Sequence, residues 1–119
     1  MMKLDKLFVN VYLDDERTAP WDWVQTHTPQ QTIILLEAGC VSHLSLDHDL
    51  GDDDETGTGY DVLKWLEEKV FTDRYFSPPR EITVHSANVS ARKKMEQAVE
   101  SIYRRSEENY NWVRDPNRE

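Results

Sequence analysis

The chain has 119 residues, of which 38% are hydrophobic and 31% charged, and its formal net charge is −9. That length and balance fit one globular domain over residues 1–119, with an ordered core from about 7 to 114, and exclude a disordered chain. The acidic excess argues against broad duplex nucleic-acid binding through phosphates. No run reaches the roughly 20 apolar residues of a membrane span, the N-terminus has no signal-peptide core, and the lone Cys40 excludes an intrachain disulfide, so a cytoplasmic protein is expected.

In chain order, residues 8–13 (FVNVYL) read as a first strand ending at Asp14 and Asp15. ERTAP is a loop, because Pro20 lacks an N–H and restricts Ala19. Residues 23–27 suggest a short second strand. Thr28-Pro29 then starts a helix, with Thr as cap and Pro in the first turn, which Gly39 closes after about Ala38. Residues 43–46 form a third strand. Thr58 with Asp61 reads as a capping box for a helix whose Val62, Leu63, Leu66 and Val70 share a face. Residues 81–85 (EITVH) form a fourth strand after the breaker Ser77-Pro78-Pro79. Ser86 or Asn88 caps a long helix to about Arg105, and YNWV (110–113) is expected to be a fifth strand. Strands alternating with helices imply a parallel sheet with right-handed crossovers. One strand face is apolar (Val9, Val11, Leu13, Leu44, Leu46, Ile82, Val84). The other is polar (Asn10, Tyr12, His43, Ser45, Thr83, His85). Fully covered parallel strands are usually apolar on both faces, so the helices are expected on one face, leaving the other thinly covered or used for a homodimer.

One stretch stands out chemically. From Ser45 to Asp61, SLDHDLGDDDETGTGYD carries seven carboxylates and no Lys or Arg. Like charges about 4 Å apart repel by roughly 4 kcal/mol at a surface-like dielectric. Asp52–Glu55 can be a solvated acidic loop, whereas Asp47 and Asp49 end a buried strand. In open parallel sheets, ligands sit beyond the carboxyl ends of the strands. Those ends carry Asp14, Asp15, Glu16 and Arg17, then Asp47, His48 and Asp49, then His85, Ser86, Ala87 and Asn88. Asp14, Asp15 and Asp47 make a hard-oxygen set for Mg²⁺ or Mn²⁺. Zinc through His48, His85 and an aspartate is the alternative, and EF-hand calcium fails on register. His48 and Asp49, then His85, are candidates for proton transfer, with a satisfied strand histidine as the alternative for His85. Arg17, Ser86, Asn88 and Arg92 are candidate phosphate ligands. For Arg92, an i,i+4 pair with Glu96 is equally open. His27 and His43 are read as structural, and Gly57-Thr58-Gly59 is too short for a nucleotide loop.

LDD (Leu13–Asp15), LD (Leu46-Asp47) and SA (Ser86-Ala87) resemble the acidic pair, phospho-acceptor and hydroxyl-small pair of response-regulator receiver domains. LDDER, SLDHDLG, GTGYD and HSAN, in this order over about residues 8–105, more closely resemble the cyclic-phosphate-processing receiver domain family. The resemblance implies a receiver-like (flavodoxin-like) open sheet of about five strands in order 2-1-3-4-5, with the first and last receiver helices reduced or absent. It also implies a substrate class of cyclic nucleotides or 2′,3′-cyclic RNA ends, and a role in RNA repair or in phage and conflict systems.

The leading expectation is therefore a magnesium-dependent phosphoesterase acting on a small phosphate-bearing ligand or an RNA end. Two alternatives are kept: a non-catalytic phospho-receiver or nucleotide-binding module, and an acidic interaction protein that mimics nucleic acid.

Overall fold

Four short strands and three helices make up the part of the chain that the computed structural model describes, residues 8–50 and 57–118. The strands are β1 (Val9–Leu13), β2 (Val24–Thr26), β3 (Val41–Leu46) and β4 (Glu81–Val84). The helices are α1 (Pro29–Glu37), α2 (Gly59–Thr72) and α3 (Val89–Arg114). All pairings are parallel, in the order β2-β1-β3-β4. This is the open sheet of a receiver or flavodoxin-like fold, with a loop where the first receiver helix would lie. The expected acidic loop Asp52–Glu55 lies outside the described residues.

The helix starts follow the local chemistry. The Thr28 hydroxyl accepts the Gln31 N–H at 3.1 Å, and Pro29 follows it in the first turn of α1. Gly39, at φ +72°, ends that helix. The Asp61 carboxylate accepts the Thr58 N–H at 2.9 Å, closing the capping box of α2. At α3, the Asn88 side chain accepts the Ala91 N–H at 3.0 Å.

The core is one-sided. Val11, Leu13, Leu44, Leu46 and Ile82 pack with Leu36 of α1, Val62, Leu63, Leu66 and Val70 of α2, and Met95, Ala98 and Ile102 of α3. The other sheet face carries Asn10, Tyr12, Gln25, His43, Ser45 and Thr83. Several of its side chains bond to one another or to nearby backbone: His43 Nδ1 lies 3.0 Å from both Asn10 Oδ1 and Ser42 Oγ. Gln25 donates to the Asp14 and Arg17 carbonyls at 2.8 and 3.2 Å and accepts the Ala19 N–H. These bonds let polar side chains lie against a sheet without a covering helix.

The expected fifth strand is not formed: YNWV is the last turn of α3. Its aromatic and branched residues favour strands in isolation, but tertiary contacts decide otherwise. The buried stripe of α3 continues from Ile102 to Asn109, about two turns on, where a 3.6-residue repeat returns to the same face. Asn109 is buried and donates through Nδ2 to the Val70 carbonyl at 2.7 Å. Val70 lies in the last turn of α2, whose carbonyls have no intrahelical partner. Beyond it, the Arg74 guanidinium lies 4.1 Å from the centre of the Trp112 ring.

Asn109→Ala should therefore lower stability by about 1–3 kcal/mol, because it strands a buried carbonyl. Tyr110→Ala, at an exposed neighbouring position, should change it by less than about 0.5 kcal/mol. Urea denaturation with unchanged m values checks both.

Candidate functional site

The site is built by one rung of the sheet. Leu13, Leu46 and Val84 are partners across β1, β3 and β4. The next residue on each strand is Asp14, Asp47 and His85. Their N–H groups extend the ladder: Asp14 to the Thr26 carbonyl at 3.1 Å, Asp47 to Leu13 at 3.0 Å and His85 to Leu46 at 2.9 Å. Strand alternation turns all three away from the leucine face and towards the uncovered one. One ligand atom from each of Asp14, Asp47 and His85 lies within 4.8 Å of the others.

Asp14 is buried and fully engaged. Its Oδ1 accepts the Glu16 and Arg17 N–H groups, both at 2.8 Å. Its Oδ2 lies 3.0 Å from His85 Nε2 and 3.2 Å from Arg17 Nη1. Burial pushes its pKa up, but the two backbone donors and His85 outweigh burial and hold it below the ordinary value. The His85 imidazole is held below its ordinary pKa by burial, against the pull of Asp14 and Asp47. Its Nδ1 lies 2.7 Å from Ser45 Oγ, and its ring stacks on Tyr12 at 4.2 Å with the planes 3° apart. Asp47 accepts the His48 N–H through Oδ1 at 2.8 Å. Burial and the neighbouring Asp14 charge raise its pKa, in spite of that bond, His85 and Arg17.

Arg17 is the cation already present. Its half-exposed guanidinium reaches Asp14 Oδ2, lies 4.0 Å from Asp47 Oδ2 and donates to the His85 carbonyl at 3.3 Å. A hollow of about 210 Å³ opens beside it, lined by Asp14, Glu16, Arg17, Asp47, Asp49 and Ala87. A larger hollow of about 490 Å³ lies at the opposite strand ends, among Phe8, Leu36, Val41, Phe76 and Pro79, and no carboxylate or imidazole lines it.

The other sequence-derived candidates divide. Asp15 is exposed and lines neither the hollow nor the three-residue group, so the expected carboxylate triad is a pair, with Glu16 and Asp49 at its lip. Adjacent residues leaving a strand end diverge, and the Asp14 turn brings Glu16 and Arg17 back instead. His48 Nδ1 lies 2.8 Å from Asp49 Oδ1. Ser86 is buried and its Oγ accepts the Asn88 N–H at 3.1 Å, Asn88 caps α3, and Arg92 donates to the Ser86 carbonyl at 3.2 Å. These three shape the turn that carries Ala87 to the hollow. Arg92 thus bonds to backbone, and no Glu96 pair is formed among the described residues.

Gly59 has a role that sequence reading missed. A β-carbon there would lie 1.9 Å from the Asp47 carbonyl oxygen, so only glycine lets the first turn of α2 press on the strand end that bears Asp47. The paired glycines around the Thr58 cap were the available signal. Gly57 supplies the positive φ of +89° just before it.

The donor set fits a hard divalent cation: two carboxylates abreast, one of them disfavoured in its charged form, beside an open hollow. His85 Nε2 faces Asp14, which ties the histidine to a carboxylate and not to the hollow.

Fold and rim together define a receiver-type α/β domain with a carboxylate pair at the carboxyl ends of its central strands. The family model described as the cyclic-phosphate processing receiver domain matches residues 9–101, and the chain belongs to that family. No curated protein and no solved structure matches it. The matched span runs from β1 into α3 and includes every rim residue named above.

Gly59→Ala should cost at least about 2 kcal/mol in urea denaturation, because the clash is with backbone and cannot be relieved by a rotamer change. Asp47→Asn should do the opposite. A raised folded-state pKa means that Asp47 favours the fold at acid pH and opposes it as pH rises through 3.8 and then the folded value. In chelator-containing buffer, Asp47→Asn should raise the thermal midpoint by a few degrees at about pH 7, and the gain should vanish near pH 3. Asp14 has the opposite sign, since its stabilisation is present above the ordinary carboxylate pKa and lost as pH falls.

Proposed function

We propose that the rim binds Mg²⁺ or Mn²⁺ and hydrolyses a phosphate ester, with cyclic phosphates as the substrate class suggested by the family's description. The observation that carries this reading is the pair of buried carboxylates, Asp14 and Asp47, side by side on a hollow whose cation is a half-exposed arginine. Asp14 and Asp47 would hold the metal. When bound, it would polarise a phosphoryl oxygen and acidify a bound water.

Arg17 would bind phosphoryl oxygens through its planar fork once the carboxylates have another counter-ion. Asp49, at the lip and paired with His48, would accept the proton of the attacking water. Water adds to phosphorus, one ring P–O bond breaks, and the proton ends on the released hydroxyl.

The test is incubation with 2′,3′-cyclic nucleotides and cyclic-phosphate-ended RNA, with and without Mg²⁺ or Mn²⁺. Metal-dependent monoester formation is expected, with at least about a 100-fold loss in Asp14→Asn and Asp47→Asn. No product from any substrate, together with no Mn²⁺ binding by calorimetry, would remove the reading.

A second reading is favoured by the position of Asp47 at the end of the third strand, with its Oδ2 facing Arg17. There it would accept a phosphoryl group without turnover. Labelling by acetyl phosphate that disappears in Asp47→Asn separates this case from hydrolysis.

A further inference from the structure

We propose that Ser45 and His85 are positioning residues for Asp14: a hydroxyl on the uncovered sheet face sets the imidazole, and the imidazole aims the carboxylate. The proposal rests on the reading of Asp14 as a cation ligand and adds to it the groups that orient this ligand.

The donor and acceptor roles can be assigned from geometry. An ionised Asp14 only accepts, so the 3.0 Å contact with His85 requires the ring proton on Nε2. Nδ1 then meets the Ser45 hydroxyl at 2.7 Å, accepting its hydrogen in a neutral ring and donating to its oxygen in an imidazolium, so the serine holds the ring in either state. The contacts therefore run in one line from Ser45 Oγ to Nδ1 and from Nε2–H to Asp14 Oδ2. The Asp14 Oδ1 atom is meanwhile fixed by the Glu16 and Arg17 N–H groups, so both oxygens have a set direction.

Burial supports the same assignment. Ser45 is only 7% exposed, although among the described residues no helix covers its side of the sheet. The ring bonded to its hydroxyl lies flat on Tyr12, whose ring centre is 6.4 Å from that of Trp23 with the planes at 90°. This support stops the ring from swinging away. Without the serine hydroxyl, Nδ1 loses its partner, and only the stack on Tyr12 still holds the ring in the orientation that aims Nε2–H at Asp14. His85 thus acts through Asp14, with neither ring nitrogen free to exchange a proton with substrate.

Outer-sphere partners of this kind typically change metal affinity 10- to 100-fold. The experiment combines long-range ¹H–¹⁵N spectra of the His85 ring in the metal-free chain with Mn²⁺ titration by calorimetry. The expected result is a proton on Nε2 in the unaltered chain. Ser45→Ala should keep the proton on Nε2, shift the Nδ1 resonance as its hydrogen bond is lost, and weaken Mn²⁺ affinity about 10- to 100-fold. Ser45→Thr, which keeps the hydroxyl, should restore both. A ring proton on Nδ1 and not on Nε2 in the unaltered chain overturns the proposal without any variant. So does an unchanged Nδ1 resonance with unchanged Mn²⁺ affinity in Ser45→Ala, which leaves the proposed function standing. An unaltered chain that binds no Mn²⁺ removes the proposed function, and this role with it.

Discussion

Two carboxylates cannot be set next to each other in a partly dry place unless the backbone compels it. Here the compulsion is the register of β1 on β3. With Leu13 opposite Leu46, the next residue on each strand must be Asp14 opposite Asp47, and with Val84 opposite Leu46 the following residue must be His85. The burial of the leucines drives the register, and a slip of one residue would turn every leucine out of the core. The energy that holds the acids together thus comes from apolar packing elsewhere in the sheet. Gly59 adds to it by letting α2 press on the Asp47 carbonyl.

Covering the sheet on one side only gives a thin molecule, about 48 × 40 × 22 Å. The helix layer supplies nearly all of the apolar burial, while the other face is closed by lateral polar bonds. These bonds run towards the rim. His43 with Asn10 and Ser42 lies near the start of the strands, and His85 with Ser45 and Tyr12 lies at their end. The face that lacks helices is therefore the one from which the Asp14 side chain is reached and held.

Most of the architecture was legible in the chain. Thr28-Pro29, the Thr58–Asp61 box and the alternation of FVNVYL and EITVH each carry their own local physics, and the elements begin where these signals stand. YNWV misled because its strand propensity is local, whereas the bond from Asn109 to the end of α2 is set by residues 39 positions apart. At the rim, the convergence of the Asp14 and Asp47 segments could be read from strand order. Which of Asp14 and Asp15 faces inward could not, because that depends on where the ladder stops. Gly59 was weighed only as part of a segment too short for a nucleotide loop, when its demand came from a neighbouring carbonyl. The roles of Ser86, Asn88 and Arg92 in the turn were hidden for a similar reason, since hydroxyl, amide and guanidinium groups serve loops and phosphates equally well.

Arg17 gives the rim a property that bare aspartates would lack. Because the guanidinium already neutralises Asp14, a cation bound as proposed would take its place by exchange and would not fill an empty charge trap. Exchange would set the arginine loose at the mouth of the hollow, where its remaining attraction would be for anions. Thermodynamic reciprocity would then make the two ligands mutually dependent: whatever the ion added to the affinity for an anion, the anion would add equally to the affinity for the ion.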